Sequence, residues 1–170
     1  MFEPHTGRAG KERFSRKDAK RENDVTEQEK KIIYQEAECY AAASPGGEPY
    51  LIGSKCGKCG YVTFPPRVVC SACVSNGSMV TVPLGSRGKI DTFSVLHTGT
   101  PDFKAPYILA YVLIGGAKVL SLITGCEPRE ESLEIGEEVE LVIEKIRGDG
   151  QGNEVRSYKF KPIGGGTKEK

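Results

Sequence analysis

The chain has 170 residues, 24 Lys and Arg against 23 Asp and Glu, six cysteines and two histidines. A net charge of +1 sets up no global field toward nucleic acid or an acidic membrane, so partners must be selected by local surface. No run approaches the roughly 18 apolar residues of a membrane span, and residues 1–10 lack the apolar stretch of a secretory signal; the expectation is a cytoplasmic protein with one core of ordinary size plus a small appendage.

In chain order, residues 1–25 read as a mobile charged extension. Its basic residues, Arg8, Lys11, Arg13, Arg16, Lys17, Lys20 and Arg21, are interrupted by Glu12, Asp18, Glu22 and Asp24, and Phe14 is the aromatic residue set among them. That pattern suits a solvated or partner-docking tail better than a nucleic-acid arm. Residues 26–49 predict a helix and a loop. Thr26-Glu27-Gln28-Glu29 is a capping box, Ile33, Ala37, Tyr40 and Ala41 recur at helical spacing, and Ser44-Pro45-Gly46-Gly47 stops the helix.

Residues 50–78 carry the strongest signal. Cys56, Cys59, Cys70 and Cys73 form two C-x-x-C pairs separated by a short hairpin. A two-residue spacer brings both sulfurs of a pair within reach of one tetrahedral metal ion, and Gly57 and Gly60 supply the backbone freedom of such a knuckle. The spacing predicts a rubredoxin-like zinc ribbon; iron also suits four thiolates, and two disulfides or a redox pair are the non-metal alternatives. Tyr50-Leu51-Ile52 lead into the first knuckle and residues 61–64 leave it. Pro65-Pro66 then stiffens a turn that presents Phe64 and Arg67, either to a ligand or to a neighbouring domain. In a reducing compartment Cys39 and Cys126 read as free thiols.

From residue 79 to 163 the pattern changes to period two. Strands are expected at 79–84, 88–97, 107–114, 117–124, 137–146 and 155–161, with Gly115-Gly116 as a two-residue hairpin turn. Long connections at 98–106 and 125–136 suit a five-stranded Greek-key barrel of OB type, so the fold class is mainly β. Residues 164–170 read as a flexible tail.

Catalytic candidates are few. His5 and His97 stand in no nucleophile–base motif, a metal with four protein ligands leaves no open position for water, and Cys126 reads as packing. No residue is therefore assigned a catalytic role. Phe93, Tyr107, Tyr111, Tyr158 and Phe160 could act as stacking platforms for RNA or a single strand, or form the core; no basic stripe accompanies them, so nucleic acid is not an expected partner.

The order of features resembles a known family. A ribbon with Phe64-Pro65-Pro66-Arg67 between its cysteine pairs precedes a barrel containing Gly88, Phe93, Ala105-Pro106-Tyr107, Gly125-Cys126-Glu127-Pro128, Ile135-Gly136 and a closing Lys159-Phe160-Lys161-Pro162. Over residues 50–163 this looks like the zinc-ribbon and OB-fold accessory proteins associated with acyl-CoA enzymes. The resemblance implies a non-catalytic subunit, carrying structural zinc, that docks on a thiolase or a hydratase-like enzyme acting on CoA thioesters of sterol, isoprenoid-precursor or aromatic pathways, the benzylsuccinate branch among them. The extension at 1–24 and the loop at 41–49 are longer than the family's usual approach to the ribbon. With such a partner, Arg67 and Lys104 would meet CoA phosphates and Phe103 its adenine, unless the 98–106 loop contacts the partner instead.

Overall fold

The computed structural model describes residues 31–42, 47–101 and 103–164. Its elements are β1 (Ile32–Tyr34), a 3-10 turn (Ala37–Cys39), β2 (Tyr40–Ala42), β3 (Pro49–Cys56), β4 (Val62–Thr63), β5 (Met79–Gly85), β6 (Arg87–Leu96), β7 (Tyr107–Ile114), β8 (Ala117–Ile123), a second 3-10 turn (Glu130–Ser132), β9 (Glu138–Gly148) and β10 (Glu154–Pro162).

The barrel is built by β6 to β10. Strands run in the order β10-β8-β7-β6-β9, and the pairing of β9 with β10 closes the circle. All of these contacts are antiparallel except β10 with β8, which run parallel at Phe160 and Ile123. Alternation decides what fills the interior: Ile108, Ala110, Val112 and Ile114 of β7 and Ala117, Val119 and Ile123 of β8 point inward and meet Ile90, Val139, Leu141 and Phe160. Removing each large member from water contributes about 1.5–3 kcal/mol. Although β7 is apolar throughout, its outward residues Tyr111 and Leu113 are exposed, and Lys118 covers the Tyr111 ring at 5.7 Å while pairing with Asp91 at 2.6 Å. The β7–β8 turn has φ of 57° at Gly115 and 84° at Gly116. Both angles lie in the left-handed region that a tight hairpin of matching twist requires.

A second sheet carries the ribbon. β3 pairs with β5 along one edge, from Leu51 opposite Gly85 to Cys56 opposite Met79. Its other edge takes β2 near Leu51 and β4 at Ser54 and Lys55. The backbone of β5 thus belongs to the ribbon sheet, while Leu84 from β5 and Leu51 from β3 enter the same apolar cluster as the barrel. Two further contacts join the sheets. A Cβ at Gly115 would lie 2.6 Å from the Leu84 carbonyl oxygen, so the hairpin tip meets the ribbon backbone to backbone. Tyr158 of β10 receives Phe64 edge-on at 5.4 Å and Tyr40 at 6.3 Å.

The expected N-terminal helix is corrected by the structure. The capping box at 26–29 lies outside the described residues, as do the whole charged extension at 1–25 and residues 165–170 of the tail. In the described remainder, β1 pairs parallel with β10, from Ile32 opposite Glu154 to Tyr34 opposite Arg156, and β2 pairs with β3. Between them Glu36 takes φ 55°, ψ 38°, which turns the chain and ends any helical run. The helical spacing of Ile33, Ala37 and Tyr40 was overridden by two sheet edges, each offering backbone partners that a solitary short helix lacks. Among the described residues there is no α-helix, and no helix long and apolar enough to cross a membrane.

Candidate metal centre and the surfaces beside it

The end of β3 delivers Cys56, and the loop before β5 delivers Cys70 and Cys73. All four Sγ atoms lie within 4.8 Å of one another. Cys56 and Cys73 approach to 3.7 Å and Cys59 and Cys70 to 3.6 Å. A tetrahedral ion with metal–sulfur bonds of about 2.3 Å needs sulfurs roughly 3.8 Å apart, so the donor set fits a structural zinc ion with no position left for a substrate. Cys56 and Cys70 are buried; Cys59 and Cys73 are exposed.

The two knuckles share one hydrogen-bond plan. Cys56 N–H donates to the Tyr61 carbonyl and Gly60 N–H to the Cys56 carbonyl, while Cys70 N–H donates to Ser75 and Val74 N–H to Cys70. Beside them lie two hydroxyls that sequence reasoning missed. Ser78 Oγ is 3.3 Å from Cys56 Sγ, Ser75 Oγ is 3.1 Å from Cys73 Sγ, and the two hydroxyls touch at 2.5 Å. Hydrogen bonds from Ser75 and then Ser78 pull the Cys56 thiol down to about 5, and Ser75 also lowers Cys73. At Cys59 the Tyr61 N–H favours the thiolate, but partial desolvation and the neighbouring thiols push it up to about 12. A divalent cation bound among the sulfurs would favour the thiolate form that metal ligation requires. The signal for these donors was the Ser-Asn-Gly-Ser run after Cys73, which reads as an ordinary turn in one dimension.

The other anticipated residues occupy separate places. Arg67 is exposed and lines a cleft of about 300 Å³ with Ser54, Pro66, Val68, Asn76 and Met79; its N–H donates to Ser54 Oγ at 3.0 Å. Phe103 and Lys104 lie in the β6–β7 loop, with the Phe103 ring 6.0 Å from Tyr107 and Lys104 exposed. Phe64, left open between ligand binding and packing, packs on Tyr158. Of the five barrel aromatics, Phe160 is fully buried, Phe93 and Tyr158 pack on the core, and Tyr111 is exposed. Cys39 is buried, which with Glu38 and Glu36 raises its thiol to about 11; burial and Glu137 raise that of Cys126. Neither thiol is poised as a nucleophile.

Comparison with known proteins agrees with this two-part plan. The ChsH2 rubredoxin-like zinc ribbon domain matches residues 43–80, and the ChsH2 C-terminal OB-fold domain matches residues 81–144. A DUF35 domain-containing scaffold protein of Methanothermobacter thermautotrophicus is 43% identical over 116 residues, spanning 66% of this chain and 86% of the relative. This chain belongs to the ChsH2-type DUF35 family. Another member, benzoylsuccinyl-CoA thiolase subunit BbsA of Geobacter metallireducens, is 33% identical over 147 residues, or 86% of this chain and 98% of that one. Among solved structures, the Ltp2-ChsH2(DUF35) aldolase aligns with a TM-score of 0.51 and 25% identity, covering 66% of this chain and 84% of its counterpart. In this DUF35 protein the first match covers the ribbon into the start of β5, and the second runs from within β5 into β9 of the barrel.

Proposed function

We propose that this chain is the non-catalytic, zinc-containing accessory subunit of an acyl-CoA thiolase, working in the cytoplasm and helping to position the CoA thioester. The observation that carries this reading is the likeness to the benzoylsuccinyl-CoA thiolase subunit across 98% of that protein's length. A closed four-thiolate centre supports it, because such a centre holds a loop in place and offers no Lewis-acid site. The partner brings the reacting groups. This chain adds a rigid wall, on which Arg67 and Lys104 meet the phosphates of CoA and Phe103, braced by Tyr107, offers a face to its adenine.

Reconstitution with the copurifying thiolase subunit tests the proposal. The isolated chain should turn over no acyl-CoA, and the complex should exceed the partner alone, since positioning errors of about 1 Å can cost on the order of 100-fold in rate. Arg67→Ala and Lys104→Ala should raise KM for the CoA ester while the complex stays assembled. A scaffold that joins enzymes without touching substrate is the second reading, favoured by the 43% identity to a scaffold protein. In that case the partner's kcat and KM would be the same with and without this chain.

A further inference from the structure

The two knuckles of the ribbon differ at one informative position. Gly60 and Val74 occupy equivalent places, each donating its N–H to the first cysteine of its pair, and each has positive φ, 74° and 55°. Glycine takes that conformation freely. Valine does not, because its branched Cβ crowds the neighbouring carbonyl, and a β-branched residue there is an outlier whose presence calls for a reason. The knuckle turn sets the angle, but burial within the described chain does not account for a valine there, because Val74 is 77% exposed. Val68 is 79% exposed, and Val69, which bridges Asn76 across the same knuckle, is also exposed. In a chain with 28% charged residues, none falls between Arg67 and Arg87.

We infer that the second knuckle, with Val74 at its tip and Val68 and Val69 beside it, is the surface by which this chain grips its acyl-CoA partner subunit. The inference rests on the accessory-subunit reading and names the contact. An uncharged apolar knob fits an apolar hollow in the partner. Four thiolates around one divalent ion carry a net double negative charge, and Cys59 and Cys73 bring it to the surface, so the rim of that hollow supplies N–H or cationic groups. A second copy of this chain is the poorer occupant, because two-fold pairing of knuckles would set knob against knob and anion against anion.

The test uses the full zinc-loaded chain and the purified thiolase subunit that copurifies with it. Val74→Asn keeps a residue that tolerates the left-handed backbone and removes the apolar tip. It should melt about 2–4 °C higher than the wild type, with unchanged zinc content, yet bind the partner about tenfold more weakly. Val74→Ile should bind like the wild type. A lower melting temperature for Val74→Asn would show that the valine acts within the chain, and unchanged affinity would show that the knuckle is not the interface; either overturns the inference. A wild-type chain that failed to bind any thiolase would instead remove the accessory-subunit reading, and this contact with it.

Discussion

The ribbon tip and the barrel solve the same problem by different means. The barrel orders five strands around Phe160, Val112, Val119 and Val139, each buried to within 1%. The ribbon tip buries Cys56 and Cys70 with the hydroxyl residues Ser54, Thr63 and Ser75, and has four clustered sulfurs in place of a core. Apolar burial is distributed over many residues and survives losing one, whereas a tetrahedral metal site fails as a unit when one ligand goes. The same chain should therefore lose its parts in different ways.

Metal removal gives the largest expected effect. Structural zinc supplies roughly 10–16 kcal/mol of apparent binding free energy, so Cys59→Ser or a strong chelator should disorder the knuckles. Limited proteolysis should then cut between residues 57 and 78 while the barrel's thermal transition persists; a single collapse of the whole chain would mean that the regions are one unit. Phe160→Ala comes next. It should cost about 3–5 kcal/mol and lower the main transition, with one zinc per chain retained at room temperature by elemental analysis. Phe64→Ala acts on the joint. Losing the edge-on contact with Tyr158 removes about 0.5–1.5 kcal/mol beyond burial, and calorimetry should show ribbon and barrel melting less cooperatively.

The smallest effect lies far from the ribbon, in the β9–β10 connection. The side-chain amide of Asn153 heads the interactions that hold Asp149 below the usual carboxylate range, with the Asn153 and Gln151 N–H groups donating to it as well. A depressed carboxylate contributes stability above its unfolded value of about 3.9, lost as pH falls through the folded value. The amide resonances of Gln151 and Asn153 should accordingly shift in that acidic window in the wild type and stay put in Asp149→Ala.

The two regions also differ in how far the sequence announces them. A metal site is local in sequence, since its geometry dictates the spacing of Cys56, Cys59, Cys70 and Cys73. The β7–β8 hairpin is local too, with Gly115-Gly116 between two largely apolar runs. Pairing across distance is not. Residues 79–84 read correctly as a strand, yet nothing in their periodicity names β3 as the neighbour. Residues 32–41 carry a helical stripe, and their extended form exists because β10 and β3 were waiting with free edges. Ser75 and Ser78 were invisible for a related reason, as a hydroxyl becomes a thiolate's donor only after two knuckles have folded against each other. Val74 escaped notice because strain is a property of φ, which an amino-acid code does not carry.

The contact of Gly115 with the backbone at Leu84 has a mechanical meaning. Where two modules meet only through side chains, a rotamer change can re-aim one against the other; here the hairpin tip at Gly115 also meets the Leu84 backbone directly, and Gly116 faces Val62 of β4 alongside. The joint has the geometry of a bracket. Whatever seizes the knuckle meets a ribbon whose sheet abuts the barrel's β7–β8 turn, and β7 and β8 supply Ile108, Val112, Ile114, Val119 and Ile123 to the core. Substituting either residue of that turn would therefore re-aim a surface without touching it.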